Sequence, residues 1–228
     1  MPKADGEIGL HSPVSRIFLL SPANCSGRRA QQIISPRASF DLAARLRHGA
    51  APIGEVFSFV SGLYFRGKLA YARAFARPPE PTGEGTLAED GVLIITSSAG
   101  LRAPDTPITI DALRRFAAES VDAGNAAYRG PLVRSAEALA GEVGPDCDVV
   151  LLGSIASPKY VDLLVDIFGQ RLLFPSDFVG RGDMSRGGLM LRAVAAALEL
   201  EYQPVAGAVR RGPRPPKLEP LRAAGRRV

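Results

Sequence analysis

The chain has 228 residues, 46% of them hydrophobic, with a formal net charge of +5 and an isoelectric point near 9.6. That is enough for one large domain with a real core, and no apolar run approaches the about 18 residues needed to cross a bilayer. Two cysteines, Cys25 and Cys147, and two histidines, His11 and His48, argue against a disulfide framework and a His/Cys metal cluster.

The basic charge is local. Residues 210–228 hold seven basic residues, Arg210, Arg211, Arg214, Lys217, Arg222, Arg226 and Arg227, against Glu219, so residues 1–209 carry a net −1. Four prolines in that tail predict an extended, disordered segment that either holds polyphosphate without sequence preference or only solubilises the protein. At the other end, residues 1–15 are polar and predict a flexible segment with no apolar signal core, so a cytoplasmic location without membrane partners is expected. The folded domain is expected over residues 16–209.

Arg16-Ile17-Phe18-Leu19-Leu20 reads as a buried strand running into the loop Ser21 to Arg29, with a helical turn or two over Ala30 to Ile34. An amphipathic helix is predicted over Ala38 to His48. A strand or buried turn is predicted over Val56 to Val60, and another helix over Tyr64 to Arg77. Residues 78–91 form a Pro- and Gly-rich insert before a second buried strand, Val92 to Thr96, which ends in Ser97-Ser98-Ala99-Gly100. Two helices, about Asp111 to Ala123 and Pro131 to Glu142, precede a third strand, Val149 to Leu152. A helix follows from Pro158 to Phe168, with Pro158 suited to its first turn, and then a fourth strand, Leu172 to Phe174. Unbroken apolar strands alternating with helices predict an α/β domain whose mixed, substantially parallel sheet is flanked by helices. Ligands in such sheets gather beyond the carboxyl ends of the strands, which points to Ser21 to Arg29, Ser97 to Asp105 and Gly153 to Lys159.

Gly180 to Leu189 crowds two arginines, Arg181 and Arg186, with Ser185 and four glycines at the expected start of a helix. A helix N-terminus presents unpaired N–H groups, so this composition reads as an anion site with Gly182 allowing close approach, or as an ordinary capped helix with surface arginines. Cys25, before Arg28 and Arg29, is a candidate low-pKa thiolate. Ser185 lacks the nucleophile-elbow glycine pattern, and there is neither a phosphate-binding Walker loop nor a dinucleotide fingerprint, so no cofactor is implied and no catalytic residue is assigned. Arg66, Lys68 and Lys159 add cations to the strand-end loops.

Several motifs, in order along the chain, resemble the YaaA-like family of bacterial peroxide-stress proteins. Leu19-Leu20-Ser21-Pro22-Ala23 looks like that family's first strand and Ser-Pro-Ala, and Gly27-Arg28 stands near its usual lysine. Ser98 to Asp105 is similar to its Ser-Gly-Leu-Tyr-Gly-x-Leu-Arg-Pro-x-Asp stretch, matching at Ser98, Gly100, Leu101, Arg102 and Asp105. Tyr128 falls at a family tyrosine, Leu152 to Tyr160 resembles Asn-Leu-Ala-Ser-x-Glu-Tyr through Ser157 and Tyr160, and Arg181 to Arg186 resembles Arg-Gly-x-Met-Ser-Arg. Arg28 in place of lysine, Lys159 in place of glutamate and a blurred Tyr-x-Gly-Leu at Ser61 to Tyr64 are departures. The resemblance implies a mixed α/β fold, a cytoplasmic location, DNA binding and a role in limiting damage from peroxide and intracellular iron. Two readings follow: Arg28, Arg66, Lys68, Arg181 and Arg186 contact nucleic-acid phosphates, or the same loops hold a nucleotide or other phosphorylated substrate of an enzyme, with Tyr128, Tyr160 or Cys25 nearer the chemistry.

Overall fold

The structure, a computed structural model, describes residues 14–80, 86–156 and 158–218. In chain order its elements are β1 Arg16–Leu20, α1 Arg28–Ile34, α2 Asp41–His48, β2 Ala51–Pro52, α3 Ile53–Ser61 and α4 Leu63–Phe75. There follow β3 Val92–Ile95, β4 Leu101–Arg102, β5 Pro107–Ile108, α5 Ile110–Ala118, α6 Ala126–Val143 and β6 Asp148–Leu152. The chain finishes with α7 Pro158–Phe168, β7 Leu172–Pro175, α8 Asp183–Ala196 and β8 Tyr202–Pro204.

The main sheet has six strands in the order β4-β3-β1-β6-β7-β8. Its four central strands are parallel, with Phe18 opposite Val92 on one side and Val150 on the other, while β4 and β8 run antiparallel at the edges. This is the mixed, substantially parallel α/β architecture the apolar runs predict. Ile17 to Leu20, Val92 to Ile95 and Val149 to Leu152 are all buried because helices cover both faces of the sheet. The chain moves from β1 to β3 on one side, then returns to β6 and β7 on the other. The connections therefore part between β1 and β6, and a crevice opens there beyond the carboxyl ends of the strands.

One expected element changes type. Residues 56–60 lie in helix α3, neither strand nor buried turn, because Ile53, Val56, Phe57 and Val60 fall at helical spacing and bury one stripe. The helix expected from Pro131 begins earlier, at Ala126, where the Asn125 side chain accepts from the Ala127 N–H. Helices α4 and α8 pack against each other so closely that a Cβ on Gly67 would lie 2.7 Å from the Gly187 carbonyl oxygen, and one on Gly187 would lie 2.9 Å from that of Leu63. Among the described residues no helix is long and apolar enough to cross a membrane.

Residues 1–13 and 219–228, with most of the expected flexible N-terminal segment and the last basic residues of the tail, lie outside the described residues, as does Ser157. Residues 210–218 contain no helix or strand but are not detached from the domain. Arg210 pairs with Asp162 at 2.7 Å, and the Pro213 carbonyl sits where a Cβ of Gly180 would be, a glycine at φ +72°.

Candidate functional site

A cleft of about 890 Å³ occupies the crevice. Its walls come from the loop after β1, Ser97 after β3, Ser154 after β6, and the starts of α7 and α8 at Lys159, Tyr160, Asp183 and Met184. The volume suits a small-molecule ligand.

Its floor is set by Ser21. The Ser21 N–H extends the sheet ladder by one bond, donating to Leu152 O at 3.1 Å, which fixes the residue at the carboxyl end of β1. Beneath it lies Lys68 from α4, 1% exposed, whose Nζ is 2.9 Å from Ser21 Oγ and donates to Ser21 O at 2.6 Å. The rings of Tyr64 and Phe65 flank the amine at 4.6 and 4.7 Å. Among the described residues no carboxylate pairs with it, and Asp183 acts on it only at longer range. Burial accordingly pulls the lysine down to about 7. The Tyr160 hydroxyl donates to Ser154 O at 3.0 Å and also interacts with Ser21. Gly153 is obligatory at the end of β6, because a Cβ there would come 2.7 Å from Ser21 Cβ and 2.9 Å from Tyr160 Oη.

The lip is basic. Asn24 Oδ1 accepts from the Ser26 N–H and hydroxyl, shaping the turn that brings Gly27, Arg28 and Arg29 to the cleft. Arg28 and Lys159 are exposed and, among the described residues, have no ion-pair or hydrogen-bond partner. The lip's carboxylates are engaged: Glu119 accepts from Asn125 Nδ2 at 3.1 Å and Asp183 lies 3.5 Å from Arg186 Nη1. Cys25 lines the same loop, but the thiolate expected there is not favoured. The residue is 5% exposed, and burial pushes its thiol up to about 12.

The arginines of the α8 segment serve the fold. Arg186 is buried, and its Nε and Nη2 both donate to Phe178 O, at 3.1 and 2.9 Å. Arg181 donates from Nε to Asp177 O at 2.9 Å and from Nη1 to Pro216 O at 3.4 Å. Two backbone turns and the C-terminal strap therefore use the guanidinium donors that an anion would need. Gly182 caps α8 with no side-chain hydrogen bond, and Ser185 stands outside the cleft lining. Arg66 is exposed on α4, and Arg102 donates to its own neighbour's carbonyl, Leu101 O, at 3.0 Å. Tyr128 is fully buried, and among the described residues none hydrogen-bonds to its hydroxyl. Of the residues expected to gather on an anion, Arg28 and Lys159 both line the cleft, with Lys68 hidden behind its floor. Compared with protein-family models, curated proteins and solved structures, the chain matches none of them.

Ser21 has no sequence signal of its own beyond its place in the loop Ser21 to Arg29 that follows the first strand. The role of Lys68 had a signal: Tyr64, Phe65, Lys68, Ala72 and Phe75 form the buried row of α4, and a lysine in an apolar row is a buried lysine.

Proposed function

We propose that the cleft binds a small anionic ligand of about nucleotide size and that the protein acts on it as an enzyme. The observation that carries this reading is Lys68, desolvated and, among the described residues, without a carboxylate, set against a serine on the cleft floor. Burying an uncompensated amine is costly for stability, and such perturbed groups in clefts concentrate at reactive sites. Arg28 and Lys159 at the lip, without a partner among the described residues, favour a phosphate- or carboxylate-bearing compound.

A second reading is a cytoplasmic YaaA-like protein that holds duplex DNA and limits peroxide- and iron-linked damage. Exposed Arg28, Arg66 and Lys159, with Arg211, Arg214 and Lys217 on the strap, support it. Of the five phosphate contacts expected for that role, however, Lys68 and Arg186 are buried and Arg181 is spent on carbonyls.

One assay separates the two. Nucleotides and inorganic pyrophosphate should raise the unfolding temperature of the full chain, and the double variant R28E/K159E should weaken their affinity by about 10-fold or more. A flat response to every small anion, beside DNA retention that falls steeply with salt, would replace the enzyme reading with the nucleic-acid one.

A further inference from the structure

Resting on the reading of the cleft as a ligand site, we infer that Ser21 and Lys68 are a nucleophile and its general base, transferring the acyl group of an anionic ester, thioester or amide to water. Hydrogen-bond accounting supports this pairing. As an ammonium, Lys68 has three donors but, among the described residues, two hydrogen-bond acceptors in reach, Ser21 O and Ser21 Oγ, with only the ring faces of Tyr64 and Phe65 beside them. As a neutral amine it donates to Ser21 O at 2.6 Å and turns its lone pair to the Ser21 hydroxyl at 2.9 Å, the contact a base makes with a serine it activates. Lys68 does not line the cleft, so Ser21 is the atom a substrate meets.

The chemistry balances without another reactant than water. Ser21 Oγ bonds to the acyl carbon while its proton passes to Lys68 Nζ. The bond from carbon to the leaving oxygen, sulfur or nitrogen breaks, and Lys68 returns the proton to that atom. Water then attacks the Ser21 ester, Lys68 takes the water proton, and Ser21 Oγ regains it as the acid departs. An acyl carbon suits this floor better than a phosphoryl group, whose spread negative charge needs cations beside the reacting atom. The guanidinium near the floor, Arg186, is held by Phe178 O, while Arg28, Arg29 and Lys159 stand at the exposed lip, where they would bind a remote anionic group of the substrate.

The titratable groups that act on Lys68 directly are Tyr64 on its own helix, whose ring it faces, and Asp183 on α8; Arg186 on α8 and Tyr160 on α7 act on Tyr64 beside it. Burial raises both tyrosine hydroxyls, so they stay protonated through neutral pH and Lys68 sets the profile.

The test is covalent labelling of the full chain by an aryl fluorophosphonate and by p-nitrophenyl hemisuccinate between pH 6 and 9, with peptide mapping. Ser21 should be the modified residue, at a rate rising with pH through a midpoint near 7. S21A should be unreactive, and K68M slower by about 100-fold or more. If K68M does not fold, K68R supplies the same comparison, since arginine keeps the charge and cannot accept a proton. An unmodified Ser21 in the folded wild type, a flat pH profile, or a lysine variant labelled at the wild-type rate would each overturn the pair. Pyrophosphate stabilisation with no Ser21 labelling leaves the cleft reading standing and removes the dyad. Labelling with no response to any anion does the reverse.

Discussion

The two ends of β1 carry opposite solutions to the burial of charge. At the amino end Arg16 donates to Glu199 at 2.5 Å and to Asp148 at 3.1 Å, and stacks over the Tyr202 ring at 4.8 Å. Glu199 also takes Arg77 at 3.2 Å and the Tyr202 hydroxyl at 2.9 Å, and that hydroxyl meets Tyr71 Oη at 2.6 Å. Charge there is matched by charge, and the network ties β1, β6, α4 and the segment after α8 together. At the carboxyl end, five residues along, the buried amine has a hydroxyl and a carbonyl and, among the described residues, no carboxylate. A network of matched charges fixes the sheet, whereas an amine left unmatched is free to release its proton. The lesson is that burial alone does not mark a site, since what distinguishes the two ends is whether the charge is answered.

Removing the answer at the amino end should have the largest effect. E199A removes the carboxylate that Arg16 and Arg77 share and leaves Arg16 with Asp148 alone, and should cost about 2–4 kcal/mol of stability, below the upper range for a fully buried pair because these side chains keep some solvent contact. Urea unfolding measures it, and Ser21 labelling on the folded variant should stay at the wild-type rate. A parallel loss of labelling would mean that the two ends are coupled.

The carboxyl end should respond to pH instead. A lysine in the unfolded chain holds its proton to about 10.4, whereas folded Lys68 releases it near 7. Between those values the unfolded chain binds the extra proton, so this group makes stability rise with pH, and below 7 its full desolvation cost is present in the folded state. Relative to K68M, the wild type should therefore gain about 2–3 kcal/mol between pH 6 and pH 9. Urea midpoints of both proteins at the two pH values check the sign, and an unchanged difference would mean that Lys68 stays charged.

The fold was readable where the chain repeats one simple signal. β1, β3, β6 and β7 are largely apolar runs, and helix α7 shows a clean stripe of Tyr160, Val161, Leu164 and Phe168, whereas α8 buries Arg186, Gly187, Met190 and Ala193 in place of the leucines around them. The run Val56-Phe57-Ser58-Phe59-Val60 misleads because five residues carry a strand's composition, and only the inclusion of Ile53 reveals the helical period. β8, Tyr202–Pro204, carries no local signal because its pairing with β7 is a property of the sheet edge. The site was readable in its parts but not in its roles. Arg66 and Lys68 look like one basic cluster, yet residues two apart on a helix face away from each other, so one is exposed and the other buried. The α8 segment misleads in the opposite direction: its glycines serve a helix crossing and a strap, and its arginines hold carbonyls.

The smallest expected effect tests that last reassignment. Arg181 donates to Asp177 O and Pro216 O, so R181A should cost about 0.5–1.5 kcal/mol, the range for a lost hydrogen bond at a partly exposed position. The strap should loosen with it, giving faster proteolysis in residues 210–218. Affinity for pyrophosphate should stay within about twofold, because a carbonyl-bound guanidinium contributes little to an anion in a cleft it does not line. A tenfold fall in affinity at unchanged stability would return the α8 start to the role its composition suggests. It would also show that Arg181 leaves its carbonyls for the ligand, joining the strap to the chemistry at the other side of the cleft.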